Sequence, residues 1–283
     1  DSSEDYILVL NYAEMGSLRQ NLHAVSKMKW KDKLVLLDCI ASDLQIIHSQ
    51  NLIHRDLHSG NILLDELHIA YIADLGLSIS TNIAQITEKR GVYGILPYIA
   101  PESLDSGQYT TESDIYSFGI IMWEILYGNS VSYNQDFGTQ LQLEICNNDL
   151  RPTIINDTPQ CYINLMKRCW EKQPIDRPSA IEICEVLTEW QNDETILSEL
   201  ISSDEILEKI NSTPYPVDLY KSKFIKYTSL LYQGGFCQAY IFKLRPKISA
   251  SFDFKAFSRT DEPYSVEYCS FSLRGNLLNY SRA

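Results

Sequence analysis

No stretch of this 283-residue chain approaches 18 consecutive apolar residues, so it is not expected to supply a membrane-spanning helix. Basic charge is scarce. The 24 Lys and Arg are outnumbered by 37 Asp and Glu, leaving a formal charge of −13. A nucleic-acid binder would need a basic stripe, so that class is set aside. The seven cysteines, at 39, 146, 161, 169, 184, 237 and 269, are odd in number and contain no C-x-x-C pair. That pattern fits buried thiols in a reducing, cytoplasmic setting. The five histidines lack metal-ligand spacing, and no internal repeat is seen. The chain begins at Asp1 without a Met and without a charged-then-apolar leader, so it reads as a piece of something longer or as a processed product.

What is present is organised around Ile53–Leu64, which reads I-H-R-D-L-H-S-G-N-I-L-L. Asp56 and Asn61 stand in the spacing D-x-x-x-x-N, and ten residues past Asn61 comes Tyr71-Ile72-Ala73-Asp74-Leu75-Gly76. An Asp or Asn in a loop is more often a turn or cap residue than a chemical one. The combination carries more weight. Two carboxylates and one amide in two short loops are the set that phosphoryl transfer requires. One carboxylate orients a hydroxyl and accepts its proton. The amide and the second carboxylate hold Mg²⁺ on the phosphates.

Hydrophobic residues make up 45% of the chain, enough for a sizeable core. Asp5–Leu10 is a short strand-like run, followed by a glycine turn at Gly16. Between Trp30 and Ser49, apolar residues at 34, 37, 40, 41, 44 and 47 mark a buried amphipathic helix. Ile62–Leu64 and Ile69–Ala73 have the length of a strand pair. Thr111–Leu126 reads as an apolar helix, with Ser113 and Asp114 as N-terminal cappers.

H-R-D-x-x-x-x-N-I-L-L, then D-L-G, then Ala100-Pro101-Glu102, in that order, resemble the eukaryotic protein kinases from about Tyr6 to Trp190. The resemblance implies an α+β fold: a mainly helical kinase large lobe with short strands at the cleft, and only the last strand of the small lobe. It implies ATP and Mg²⁺ as cofactors and a protein substrate. Leu10 then matches the gatekeeper, the backbones of Asn11 and Ala13 face the adenine, Ser17 lies near the ribose, and Leu63 is the floor under the base. Asp56 is the hydroxyl-orienting acid, and Asn61 and Asp74 are the metal ligands. Leu77–Ile99 matches the activation segment, with Ser78, Ser80, Thr81, Thr87 and Tyr93 as acceptors for an upstream kinase. Arg55 would pair with a phosphate placed there. Asp114 would brace the catalytic-loop backbone, and Arg177 would pair with Glu102. For Leu63 a core role fits the sequence equally well, and for the stretch through Ser17 the alternative is an ordinary buried strand and glycine turn.

His58 stands where most Ser/Thr kinases have Lys, and H-R-D-L-H-S-G-N is most similar to the tyrosine-kinase-like group, whose members mainly modify Ser or Thr. His58 either contacts the γ-phosphate or lies exposed. Ile95 replaces the usual Thr, and Leu75 replaces the usual Phe. No G-x-G-x-x-G loop and no V-A-I-K lysine is found. The expected organisation is therefore residues 1–12 as last strand and hinge, 13–190 as large lobe, and 191–283 as a flexible or partly docked tail. In that tail 193–210 is helical by pattern and Tyr240–Leu244 strand-like. The expected activity of residues 1–283 alone is weak. The competing readings are a pseudokinase or scaffold without phosphotransfer, and a small-molecule kinase with a related loop. Retention of Asp56, Asn61 and Asp74 disfavours the former, and Ala100-Pro101-Glu102 with Arg177 disfavours the latter.

Overall fold

A computed structural model describes residues 12–81, 91–133, 135–155, 158–203 and 220–233. The strand expected at Asp5–Leu10, with Leu10 and Asn11, lies outside the described residues, as do Thr87, Tyr240–Leu244 and the end of the helix expected to reach 210.

The body is helical. α1 (Leu18–Ser26) and α2 (Trp30–Ser49) precede β1 (Leu52–Ile53), β2 (Ile62–Glu66), β3 (Ile69–Ile72), β4 (Ile79–Ser80) and β5 (Gly91–Gly94). Then come α3 (Pro101–Ser106), α4 (Thr111–Tyr127), α5 (Thr139–Asn147), α6 (Gln160–Cys169), α7 (Ala180–Asn192) and α8 (Glu194–Ser202). β6 (Lys223–Lys226) and α9 (Thr228–Gln233) complete the described elements. The α2 span matches the expected amphipathic helix, and its apolar positions Leu34, Leu37, Ile40, Leu44 and Ile47 are buried. α4 is buried nearly all round, as a helix surrounded by protein on every side must be.

The strands form three antiparallel pairs: β1 with β4, β2 with β3, and β5 with β6. β2–β3 is the expected pair, in the register Ile62↔Ile72 and Leu63↔Tyr71. α7 packs along α2, and α6 packs along α4. Past Trp190, α8 buries Leu197 and Leu200 in the same core. The β5–β6 pair brings a second piece of that region back to the body.

Two local expectations need correction. The N-cap of α4 is Thr110, not Ser113 or Asp114: Thr110 N–H donates to Ser113 Oγ at 3.1 Å, placing Ser113 in the third helical position as a reach-back partner. Five cysteines lie among the described residues, and none of them forms a disulfide there. Cys39 and Cys169 are buried, but Cys146, Cys161 and Cys184 are only partly so.

Candidate active site

The loop between β1 and β2 carries His54, Arg55, Asp56, His58 and Asn61. It is held from below by one carboxylate. Asp114, near the start of α4, accepts the N–H of His54 at 2.8 Å, the N–H of Arg55 at 2.9 Å, and sits 2.9 Å from His48 Nε2. Arg55 has φ +72°, a conformation costly for a residue with a long side chain. The paired amides onto Asp114 are what hold that strained turn in place. His54 is fully buried, with Nε2 3.0 Å from the carbonyl of Ala73, so the loop is also tied to the residue before Asp74.

Asn61 closes the loop. Its Nδ2 donates to the carbonyl of Asp56 at 2.9 Å, and its own carbonyl accepts the N–H of Ala73 at 2.8 Å. Asp74 is left-handed, with φ +62°, and its Oδ1 accepts the N–H of Gly76 at 3.2 Å. These bonds leave Asn61 Oδ1 and Asp74 Oδ2 as oxygens on two loops locked together through residue 73. Among the described residues no cluster of three or more His, Cys, Asp or Glu could hold a metal unaided. The donor set instead fits Mg²⁺, a hard cation that takes one or two protein oxygens and completes its shell with water and phosphate.

Asp56 is mostly buried, and burial pushes its carboxyl above the usual aspartate range. The charge of Asp74 adds to that effect; His54, a hydrogen bond from Ser222 and Arg19 oppose it. His58 is buried, at 6% exposure, which removes the reading in which it lies exposed. Its Nδ1 accepts the N–H of Gly60 at 3.0 Å, so the ring proton sits on Nε2, 3.8 Å from Asp56 Oδ2. Burial and the nearby Arg19 hold its pKa well below the ordinary histidine value. His58 is thus a neutral neighbour of Asp56.

Arg55 stacks its guanidinium over Tyr109 at 4.5 Å, and its Nε is buried without a hydrogen-bond partner among the described residues. Of the hydroxyls expected as phosphate acceptors, Ser78, Ser80 and Thr81 are half-buried around the β1–β4 pair. Tyr93 is 37% exposed in β5. Leu75 is half-buried against the core, and Ile95 is buried in it, so both apolar replacements are satisfied by packing.

On the nucleotide side, the chain before α1 runs beside β2. Met15 N–H donates to Leu64 O at 3.1 Å, Leu64 N–H donates to Gly16 O at 2.8 Å, and Ser17 bridges to Leu63. Ala13, Ser17 and Leu63 are therefore neighbours. Ser17 is the N-cap of α1, with its Oγ 3.2 Å from Gln20 Oε1. Leu63 is half-buried, as a residue between core and cleft should be.

Several residues of the site were not singled out by the sequence reading. Asp43 is buried on the apolar face of α2, where its Oδ2 accepts the N–H of Ile72 at 2.9 Å and steadies the strand leading to Asp74. Its place on the Ile40–Ile47 face was the available signal. Arg19, Tyr98 and Glu124 form a chain beneath His58: Arg19 Nε to Ser59 Oγ at 3.4 Å, Ser59 Oγ to Tyr98 Oη at 3.3 Å, and Tyr98 Oη to Glu124 Oε1 at 2.6 Å. Ser222 reaches Asp56 from 166 positions away. No local pattern announces such a contact.

The family profile described as protein tyrosine and serine/threonine kinase matches residues 2–187, more than half of the chain. A protein kinase and PP2C-like domain-containing protein of Arabidopsis thaliana is 28% identical over 92% of this chain and 44% of its own length. A probable serine/threonine-protein kinase of Dictyostelium discoideum is 36% identical over 64% of this chain and 20% of its own length. Receptor-interacting serine/threonine-protein kinase 3 of Rattus norvegicus is 36% identical over 65% of this chain and 42% of its own length. The chain spans less than half the length of each of these relatives. A profile match of that extent, over the same residues that build the Asp56–Asn61–Asp74 site, makes the chain a member of the eukaryotic protein kinases, of the tyrosine-kinase-like type.

Proposed function

We propose that the protein transfers the γ-phosphate of ATP to Ser or Thr hydroxyls of proteins, with Tyr as a further acceptor. Asp56 orients the acceptor hydroxyl and takes its proton. Asn61 and Asp74 hold Mg²⁺, which supplies charge neutralisation on the phosphate oxygens. Ala13, Ser17 and Leu63 line the nucleotide, with Leu10 and Asn11 assigned there by sequence alone. Arg55 receives a phosphate on the activation segment, a role supported by its buried Nε, which has no hydrogen-bond partner among the described residues. His58 serves Asp56 as a neutral neighbour that adds no competing charge.

The observation that carries this reading is the double tie through residue 73. His54 and Asn61 both bond the backbone of Ala73, so the acid and the two metal-facing oxygens belong to one rigid unit. Such preorganisation is what phosphoryl transfer needs from a protein. Residues 1–283 contain no Gly-rich phosphate loop and no V-A-I-K lysine, so on their own they transfer phosphate weakly.

The test is phosphotransfer by the full-length protein and its Asp56→Asn variant. Loss of the proton acceptor lowers the rate by about 10²–10⁴-fold with folding unchanged. Undiminished transfer in the variant would break the assignment of Asp56 as the proton acceptor, and absence of transfer by either protein would favour the scaffold reading. In the unmodified protein, kcat/KM falls on the acid side at a pH above 3.8, the ordinary aspartate value, because burial raises Asp56 and only its ionised form accepts the proton.

A further inference from the structure

β6 adds to the edge of β5 in the register Gly91↔Lys226, Val92↔Ile225, Tyr93↔Phe224 and Gly94↔Lys223. One residue before that ladder begins, Ser222 Oγ donates to Asp56 Oδ2 at 3.3 Å. An extended strand, paired through its main chain and delivering one hydroxyl to the acid, has the form of a peptide bound by strand addition.

The strand is anchored on both sides of that hydroxyl. Upstream, Tyr220 is buried; its Oη donates to Val131 O at 2.8 Å, and its carbonyl accepts from Arg19 Nη1 at 3.1 Å. Downstream, Gln142 Nε2 donates to Lys226 O at 2.7 Å, and Ile225 and Thr228 are buried. The neighbouring hydroxyls are directed elsewhere. Thr228 Oγ1 donates to Leu104 O at 3.2 Å, and Ser229 Oγ donates to Asp105 O at 2.7 Å. Lys221, Ser222 and Lys223 are exposed, so this part of the strand lies over the site while its flanks are held.

We propose that Tyr220–Tyr227 is an intramolecular substrate and that Ser222 is the hydroxyl this protein phosphorylates in cis. The inference rests on the kinase reading above. Ser222 Oγ attacks the γ-phosphorus of ATP and a new O–P bond forms. The bond from that phosphorus to the β,γ-bridging oxygen breaks, and ADP leaves with the electron pair. The hydroxyl proton passes to Asp56 Oδ2. The product is a phosphate of about −1.5 to −2 charge beside an acidic side chain, so like-charge repulsion expels the strand. Before modification the strand excludes other protein substrates from β5; afterwards the edge is open to them.

Two readouts test this on the full-length protein. The first is phosphate at Ser222, followed by mass spectrometry after addition of Mg²⁺ and ATP, with an added generic protein substrate in a parallel sample. A half-time unchanged over an approximately tenfold dilution is expected, because an intramolecular step does not depend on protein concentration. Ser222→Ala loses this phosphate, and Ile225→Asp, which undocks the strand, loses it while lowering KM for an added peptide about tenfold or more. The second is hydrogen exchange without nucleotide. The Gly91–Gly94 amides exchange slowly in the unmodified protein and fast in Ile225→Asp. Phosphorylation of the added protein with Ser222 bare, labelling of Ser222 that slows in proportion to dilution, or fast exchange in the unmodified protein each overturns the proposal and leaves the kinase reading standing. A protein that phosphorylates nothing overturns both.

Discussion

The two ends of α4 each bury a carboxylate, and they use it differently. At the start, Asp114 meets two backbone N–H groups and His48, while nearby Glu102 is gripped by Arg177 through two bonds of 2.7 and 2.9 Å. Near the other end, Glu124 Oε1 takes the Tyr98 hydroxyl and the N–H of Val131 at 2.9 Å, while its Oε2 has no hydrogen-bond partner among the described residues. Burial pushes the Glu124 carboxyl above the ordinary value of 4.5. The difference lies in what each carboxylate meets. Fixed donors on both oxygens turn the first end into an organiser of the loop that carries Asp56. Half-satisfaction at the second end favours the neutral acid.

Breaking the first end has the larger consequences. Arg177→Ala leaves Glu102 half-buried without its cation. It also removes the donors to Glu112 O and Glu171 O, at 2.9 and 2.8 Å. A loss of roughly 3–5 kcal/mol in unfolding free energy is expected from denaturant titration. Asp114→Ala leaves the N–H groups of His54 and Arg55 without an acceptor, at about 1–3 kcal/mol for each buried group. Because Arg55 is left-handed, the loop then relaxes, and activity falls by more than the stability loss accounts for. A variant that keeps full activity would show that Asp114 is only a helix-end residue.

The second end is sharpened by pH. Glu124 has a raised folded-state value, so its favourable contribution is present below the unfolded value of 4.5 and is lost as pH rises through the folded value. Glu124→Gln removes that titration. The stability difference between the two proteins therefore moves in favour of the variant as pH rises, by about 1.4 kcal/mol for each unit separating the folded and unfolded values. Parallel melting curves across pH would refute this, and would mean that Tyr98 and Val131 keep the carboxylate charged.

The contrast bears on what could be read in advance. Asp114 was legible through the family resemblance, which assigns the acid at the start of this helix to the backbone of the Asp56 loop. Glu124 was not: a lone acid in an apolar helix has the same local pattern whether it faces a partner or a void. The same holds at the cleft. Asp56, Asn61 and Asp74 lie within 19 positions of one another, so short-range spacing carried them. For His58, spacing placed the residue beside the acid but could not tell burial from exposure, because that depends on Tyr98, which lies 40 positions on and whose ring centroid is 5.8 Å away.

The sequence alone determined the kinase family, the helix of Trp30–Ser49 and the β2–β3 pair. Each of these is a matter of periodicity or of residues spaced closely along the chain. Only the tertiary structure decided that Ala73 joins the two loops, that His58 is buried and neutral, and that Ser222 lies against Asp56. Those outcomes depend on backbone pairing and packing between segments far apart in sequence, where no local pattern constrains which surfaces meet.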